Sequence, residues 1–392
     1  MKCRAPRSVL SLGLATALAV TAIPLPGNAQ DGGISLIRDA ETESLLRSYE
    51  DPILAAAGLS SASVHIYIVN DPSINAFVAE GQNIFVNTGL IMELDSPNEV
   101  IGVLAHETGH MADGHLVRGE DAMRAASVPM LIGMVAGVGA LIAGAGDAGM
   151  AIIAGGQQIG MRQFLQFSRQ QEAAADQAGQ RFLRATKQSG EGMLKVFKRF
   201  ENDEVLAGNK IDAFAQSHPA PGDGIAPLEE LVEQSPYHDN KDSAQAQHAY
   251  DMMRAKMRGY LEHPDVTLRR YPSSDKSQPA RYARAMAYLH KPDMAKALEE
   301  ANSLVAEEPT NPYFLEMLGQ TYVEMGRVKE GIEPYRKAAR LLPDSALIRI
   351  SLAAAMLGAE DPVLTQTAGQ ELEKALRDEN DNSYAWYELA QA

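Results

Sequence analysis

Apolar positions recur at helical spacing through residues 34–57 (Ile34, Ile37, Leu45, Leu46, Ile53, Leu54) with acidic positions between them, which predicts an opening helix. Two short β-branched runs follow, Val64–Val69 and Asn83–Asn87, and Ala76-Phe77-Val78 lies between them. Asn70-Asp71-Pro72 and Glu80-Gly81-Gln82 supply turn chemistry, so a small antiparallel sheet is expected. His65 alternates within its strand and reads as a partly buried structural residue.

The pattern then turns helical. Ser96-Pro97-Asn98-Glu99 offers an N-cap serine, a proline at the first helical position and a glutamate placed for a capping box. The helix runs through His106-Glu107-Thr108-Gly109-His110 to about Asp113-Gly114. Residues four apart share a helix face, so His106 and His110 can hold one metal ion between them. Glu107 lies about 100° round from His106, within reach of a water whose proton it can take. His115 falls about 180° from His106 on a continued helix and is expected to point away.

From Ala125 to Gly146 no residue is charged, and Gly133 to Gly137 forms G-x-x-x-G. The run is long enough for one membrane span, but a single crossing would separate His106 from Glu172. The second run, Ala148 to Phe167, carries Gly155-Gly156-Gln157-Gln158 and Arg162, weak material for a return crossing. The expectation is a helical hairpin over 125–168, turning near Gly144–Asp147, that covers the site or touches a membrane surface.

Residues 169–178 form another helical segment. A catalytic zinc takes three protein ligands, often two histidines and a glutamate, and Glu172 supplies the third. Asp176, one turn on, can accept the remaining N–H of a ligating histidine and fix its tautomer. Ser217-His218-Pro219 closes the region in a loop, with two roles open for His218. It donates to the developing oxyanion, or it binds zinc as a fourth ligand and holds the enzyme off.

In the last third, Tyr288 and Tyr322 are 34 residues apart, as are Pro309 and Pro343, with Leu318-Gly319, Gly326, Tyr335 and Ala338 between them. These are tetratricopeptide (TPR) offsets. A further repeat begins at Trp386 after a slip of three residues. Residues 276–392 therefore read as an all-α TPR solenoid, preceded by a linker over 236–275.

Composition changes the picture in three places. Lys2, Arg4 and Arg7 precede an apolar run from Val9 to Ile23 and small residues at Gly27-Asn28-Ala29, the form of an export signal cleaved near Ala29. That places the protein in the periplasm. The only cysteine, Cys3, lies in that segment, so any metal must be held by histidine and carboxylate. A net charge of −16 argues against nucleic acid as a partner. The fold class expected is α+β, with a mainly helical, gluzincin-like zinc-protease domain over 31–235.

H-E-x-x-H, then E-x-x-x-D, then an S/T-H-P loop resembles the HtpX and CAAX-prenyl-protease family of zinc endopeptidases, above all its exported, repeat-bearing, BepA-like branch. Ile74–Phe77 and Phe85–Leu90 resemble that family's N-A-F and F-V-x-x-G-L segments. The resemblance covers about residues 35–235. It implies one zinc per chain and protein substrates, unfolded outer-membrane proteins among them. It implies strand addition of substrate at Asn75, Ala76 and Phe77, and an assembly-machine partner in the TPR groove. The family's arginine after the loop histidine is missing from Pro221–Ile225, which leaves that residue's role unfilled. The alternative is a TPR-based periplasmic chaperone or adaptor with little proteolysis.

Overall fold

The computed structural model describes residues 35–79, 81–142, 145–207 and 225–392. The export segment and His218 lie outside the described residues. Residues 35–392 form one compact unit.

Strand β1 (Leu36–Ile37) leads into helix α1 (Ala40–Ala57), whose N-cap Asp39 accepts from the Thr42 amide. Strands β2 (His65–Val69), β3 (Ala76–Ala79) and β4 (Asn83–Asn87) complete a four-stranded sheet in the order β1-β2-β4-β3. The sheet is mixed, which corrects the antiparallel expectation: β2 and β4 run parallel, while β1/β2 and β3/β4 are antiparallel. The cause is the loop at 70–75. It carries the chain one strand width beyond β2, so the β3–β4 hairpin folds back and inserts β4 between them. Parallel pairs need such a crossover.

Helix α2 (Thr88–Glu93) precedes α3 (Pro97–Ala112). Ser96 caps α3 by accepting from the Glu99 amide, and the Glu99 carboxylate reaches back to the Asp95 amide. Almost all of α3 is buried. It is followed by α4 (His115–Ile142), α5 (Gly146–Ala185), α6 (Glu191–Ala207) and α7 (Ala226–Glu233). One hydrophobic core joins Leu46 and Ile53 of α1, Ile68 and Ile84 of the sheet, and Leu104 of α3. Phe182 of α5, Met193 of α6 and Val232 of α7 complete it.

That core does not stop at 235. Helices α8 (Ala244–Leu261) and α9 (Pro264–Arg270) occupy the stretch expected to be a linker. Tyr250, Met253 and Met257 of α8 belong to the same core, and the Tyr250 hydroxyl lies 2.9 Å from the carbonyl oxygens of both Ile91 and Leu94, with its one hydrogen to give to either. The amphipathic pattern of 250–261 marks a helix that needs a partner, and α2 and α3 provide it.

Seven more helices follow: α10 (Gln278–His290), α11 (Met294–Glu307), α12 (Pro312–Glu324), α13 (Val328–Leu341), α14 (Ala346–Leu357), α15 (Pro362–Ala375) and α16 (Ser383–Gln391). Each packs on the next. Helix starts recur 34 residues apart, at Gln278, Pro312 and Ala346, and again at Met294, Val328 and Pro362. Lys256 of α8 ties these helices to the N-terminal segment: it meets Asp39 at 2.5 Å, and Glu41 accepts from the Tyr282 hydroxyl at 2.7 Å.

Candidate metal centre

Helix α3 sets both histidines on one face, and α5 crosses close enough to add a carboxylate. The closeness depends on Gly109, where a Cβ would lie 2.7 Å from the Ala175 carbonyl oxygen. Glu172 Oε2 thereby stands 3.3 Å from His106 Nε2 and 3.5 Å from His110 Nε2, and the two Nε2 atoms are 3.1 Å apart. Tetrahedral zinc with bonds of about 2.0–2.1 Å requires ligand atoms about 3.3 Å apart, so the three donors have the right spacing. Among the described residues they are the one histidine and carboxylate group close enough to share an ion.

Both Nδ1 atoms are spoken for. His106 Nδ1 lies 2.9 Å from Asp176 Oδ1, which leaves Nε2 as the metal-facing nitrogen. The edge of the His106 ring packs against Phe197 of α6, with centroids 5.0 Å apart. His110 Nδ1 lies 2.9 Å from His115 Nδ1. Burial disfavours a charge on His106, yet its hydrogen bonds to Asp176 and Glu172 outweigh that and raise its pKa to about 10. Glu107, 1% exposed, is buried in the same helical turn.

His115 corrects the sequence reading, which has it pointing away. An ideal helix through residue 115 would do that, but α3 ends at Ala112 with Asp113 as its C-cap, and Gly114 takes a left-handed turn at φ 64°. The chain re-enters helix at His115 with the ring folded back on His110. Burial, then the neighbouring His110, lower the His115 pKa to about 4, so it is neutral and can accept from His110 Nδ1. Its backbone carbonyl accepts from Gln171 Nε2 at 3.1 Å, which couples the turn to α5. The Asp113-Gly114 pair was the available signal, because it marks a helix stop.

Among the strand residues singled out, Ala76 and Phe77 lie on β3, and Asn75 immediately precedes it. Phe77 stacks on Phe85 at 5.1 Å, while Asn75 accepts from the Asn87 amide at 3.0 Å. β3 is an edge strand that pairs with β4 alone among the described residues and packs beside α3.

Two histidines and a glutamate from two helices, with a glutamate inside the histidine motif, define a metallopeptidase centre. Residues 39–232 match Peptidase family M48. The chain carries an M48 peptidase domain and is a zinc metalloendopeptidase. It is 25% identical to the Beta-barrel assembly-enhancing protease of Escherichia coli K12, over 92% of this chain and 74% of that protein. It is also 26% identical to the Putative beta-barrel assembly-enhancing protease of Vibrio cholerae, over 72% of this chain and 59% of the relative. The Mitochondrial metalloendopeptidase OMA1 of Schizosaccharomyces pombe is 26% identical over 46% of this chain and 50% of its own length. The Yersinia pestis relative, 23% identical over 83% of this chain and 68% of its own length, bears the same name, Beta-barrel assembly-enhancing protease.

Proposed function

We propose that this protein is an exported, periplasmic endopeptidase that removes misfolded or stalled outer-membrane proteins, with its C-terminal helices acting as a TPR docking domain. The observation that carries the reading is the His106, His110 and Glu172 triangle with Glu107 buried beside it. When bound there, zinc lowers the pKa of water to about 7 and polarises the scissile carbonyl. Glu107 takes the proton of the attacking water and returns it to the leaving amine. Asp176 holds the His106 ring in the tautomer that presents Nε2. An extended client segment adds to the edge of β3 at Asn75, Ala76 and Phe77. For His218, which lies outside the described residues, the role proposed is that of oxyanion donor or inhibitory fourth ligand.

The domain division proposed is an export signal over 1–30, the peptidase domain from 31 to the end of α8, and TPR repeats over 276–392. The 34-residue spacing of helix starts supports the last of these. Residues 125–168 are proposed to rest on a membrane surface. One helix there, Asp121–Ala140, is long and apolar enough to cross a membrane and is mostly exposed. Leu131, Ile132, Val135, Met150 and Ile159 face outward, while Gly133 and Gly156 meet at the seam between α4 and α5. An apolar exterior over a small-residue seam is how helices pack in lipid.

The test of the peptidase reading is Glu107→Gln. The variant is expected to bind one zinc per chain and to lose cleavage of unfolded protein by several orders of magnitude. Undiminished cleavage overturns the role of Glu107. Restoration of outer-membrane assembly by the same inactive variant would favour the adaptor reading, in which the TPR groove does the work.

A further inference from the structure

Glu50 sits in α1 with no exposure, directly behind the metal-binding helix, and the chemistry above makes no use of it. Its Oε1 is 2.5 Å from the hydroxyl of Thr108, a residue that lies between the two histidine ligands and on the opposite face of α3. The same Thr108 hydroxyl is 2.9 Å from the Leu104 carbonyl oxygen. A hydroxyl has one hydrogen, and a carbonyl and a carboxylate are both acceptors. If Glu50 were ionised, Thr108 would face two acceptors with one proton, and one contact would be repulsive. A protonated Glu50 resolves this: its O–H donates to Thr108 Oγ1, which donates to the Leu104 carbonyl. The short separation suits an O–H···O bond. Glu50 Oε2 is buried without a hydrogen-bond partner among the described residues, a smaller penalty for the carbonyl oxygen of a neutral acid than for an anion.

We propose that Glu50 is a positioning residue: a neutral carboxylic acid at physiological pH that donates a hydrogen bond through Thr108 and fixes the seating of the metal-binding helix. The inference rests on the peptidase reading only for its activity readout. The charged groups acting on Glu50 are Arg47 and Asp51 of α1 and Glu107 of α3. Arg47 lowers the Glu50 pKa through space, but its guanidinium is directed to the carbonyls of Val64 and Ser61 at 2.8 and 2.6 Å and to Asp51 at 3.3 Å. Burial pushes the Glu50 carboxyl up to about 8, in keeping with the donor assignment.

Two measurements on the full chain decide it. Infrared difference spectra at pH 7 should show the carbonyl stretch of a buried protonated carboxyl that is absent from Glu50→Gln. No such band in the wild-type protein overturns the proposal. Cleavage of a peptide substrate across pH gives the second. Glu50→Gln keeps a donor, so it should stay within about threefold of wild type at pH 7, while Glu50→Leu, which cannot donate, loses about tenfold. Wild-type activity should decline above about pH 8, and Glu50→Gln should flatten that decline. If Gln and Leu are equally impaired, or Gln leaves the alkaline decline in place, the donor role is wrong. Should Glu50→Leu fail to fold, Thr108→Val takes its place. It removes the link, and a wild-type rate from it counts against the proposal.

Discussion

At its C-terminal end α5 lies on α3 inside the core, where Glu172 meets both histidines and Asp176 meets His106. At its N-terminal end the same helix lies on α4, with small residues in the seam and Met150, Ile152, Ile159 and Met161 turned outward. Both contacts use glycine to bring helix backbones close: Gly109 against Ala175 in one, Gly133 against Gly156 in the other. What differs is where polarity is placed. In the core half, polar side chains face inward and are paired in a network, so α5 must be held in one register. In the hairpin half the seam is lined by small residues, and among the described residues none covers the outward apolar surface, so register matters less than surroundings. A single 40-residue helix is thus a precise instrument at one end and an adaptable surface at the other.

The sharpest way to break the comparison is at the glycines. Gly109→Ala drives a methyl group into the Ala175 carbonyl and should displace α5, abolish stoichiometric zinc binding and cut activity by over about a hundredfold. Gly139→Ala in the hairpin meets nothing within 4 Å. It should leave zinc content and activity alone and raise stability by roughly 0.5–1 kcal/mol, because alanine favours helix. Zinc analysis with thermal unfolding distinguishes them. Equal effects at the two sites would remove the distinction between the halves.

Asp176→Asn tests the network in the core half. The carboxylate that orients His106 is lost without a change of volume, so zinc affinity should fall about 10–100-fold in a chelator competition. In the hairpin half, Val135→Glu with Ile159→Glu should weaken flotation with phospholipid vesicles by roughly tenfold or more while hydrolysis of a soluble peptide is retained. Unaltered flotation would separate the apolar surface from lipid.

The sequence disclosed what is written locally. The histidine motif, the Ser96 cap and the 34-residue landmarks each sit within a few residues of one another or repeat at fixed distance. Glu172 was singled out because zinc chemistry demands a third ligand and a helical segment with Glu172 and Asp176 on one face follows the histidine motif. What escaped depends on contacts between distant segments. The parallel pairing of β2 with β4 follows from where a loop carries the chain, and alternation along a strand looks the same in either direction. The core role of α8 needs knowledge of which face α2 and α3 leave open. Glu50 lies in a helix rich in acids, and only the structure shows that it is buried against Thr108 while the neighbouring Asp51 is half-exposed.

Glu50 supplies a further test, one that reports on the α1 side of the metal helix. Its carboxyl titrates near 8 in the folded chain and near 4.5 when unfolded. The folded state therefore binds more protons between those values, and stability falls as pH rises through that window. The penalty is absent below about pH 4.5 and reaches its plateau above about pH 8. Glu50→Gln carries no such proton, so its melting temperature relative to wild type should climb between pH 5 and pH 9. The hairpin variant Gly139→Ala shifts no ionisable group, and its difference from wild type should hold steady over the same range. A Glu50→Gln difference that also held steady would place Glu50 in an environment open to water, where the carboxylate ionises as it does in the unfolded chain.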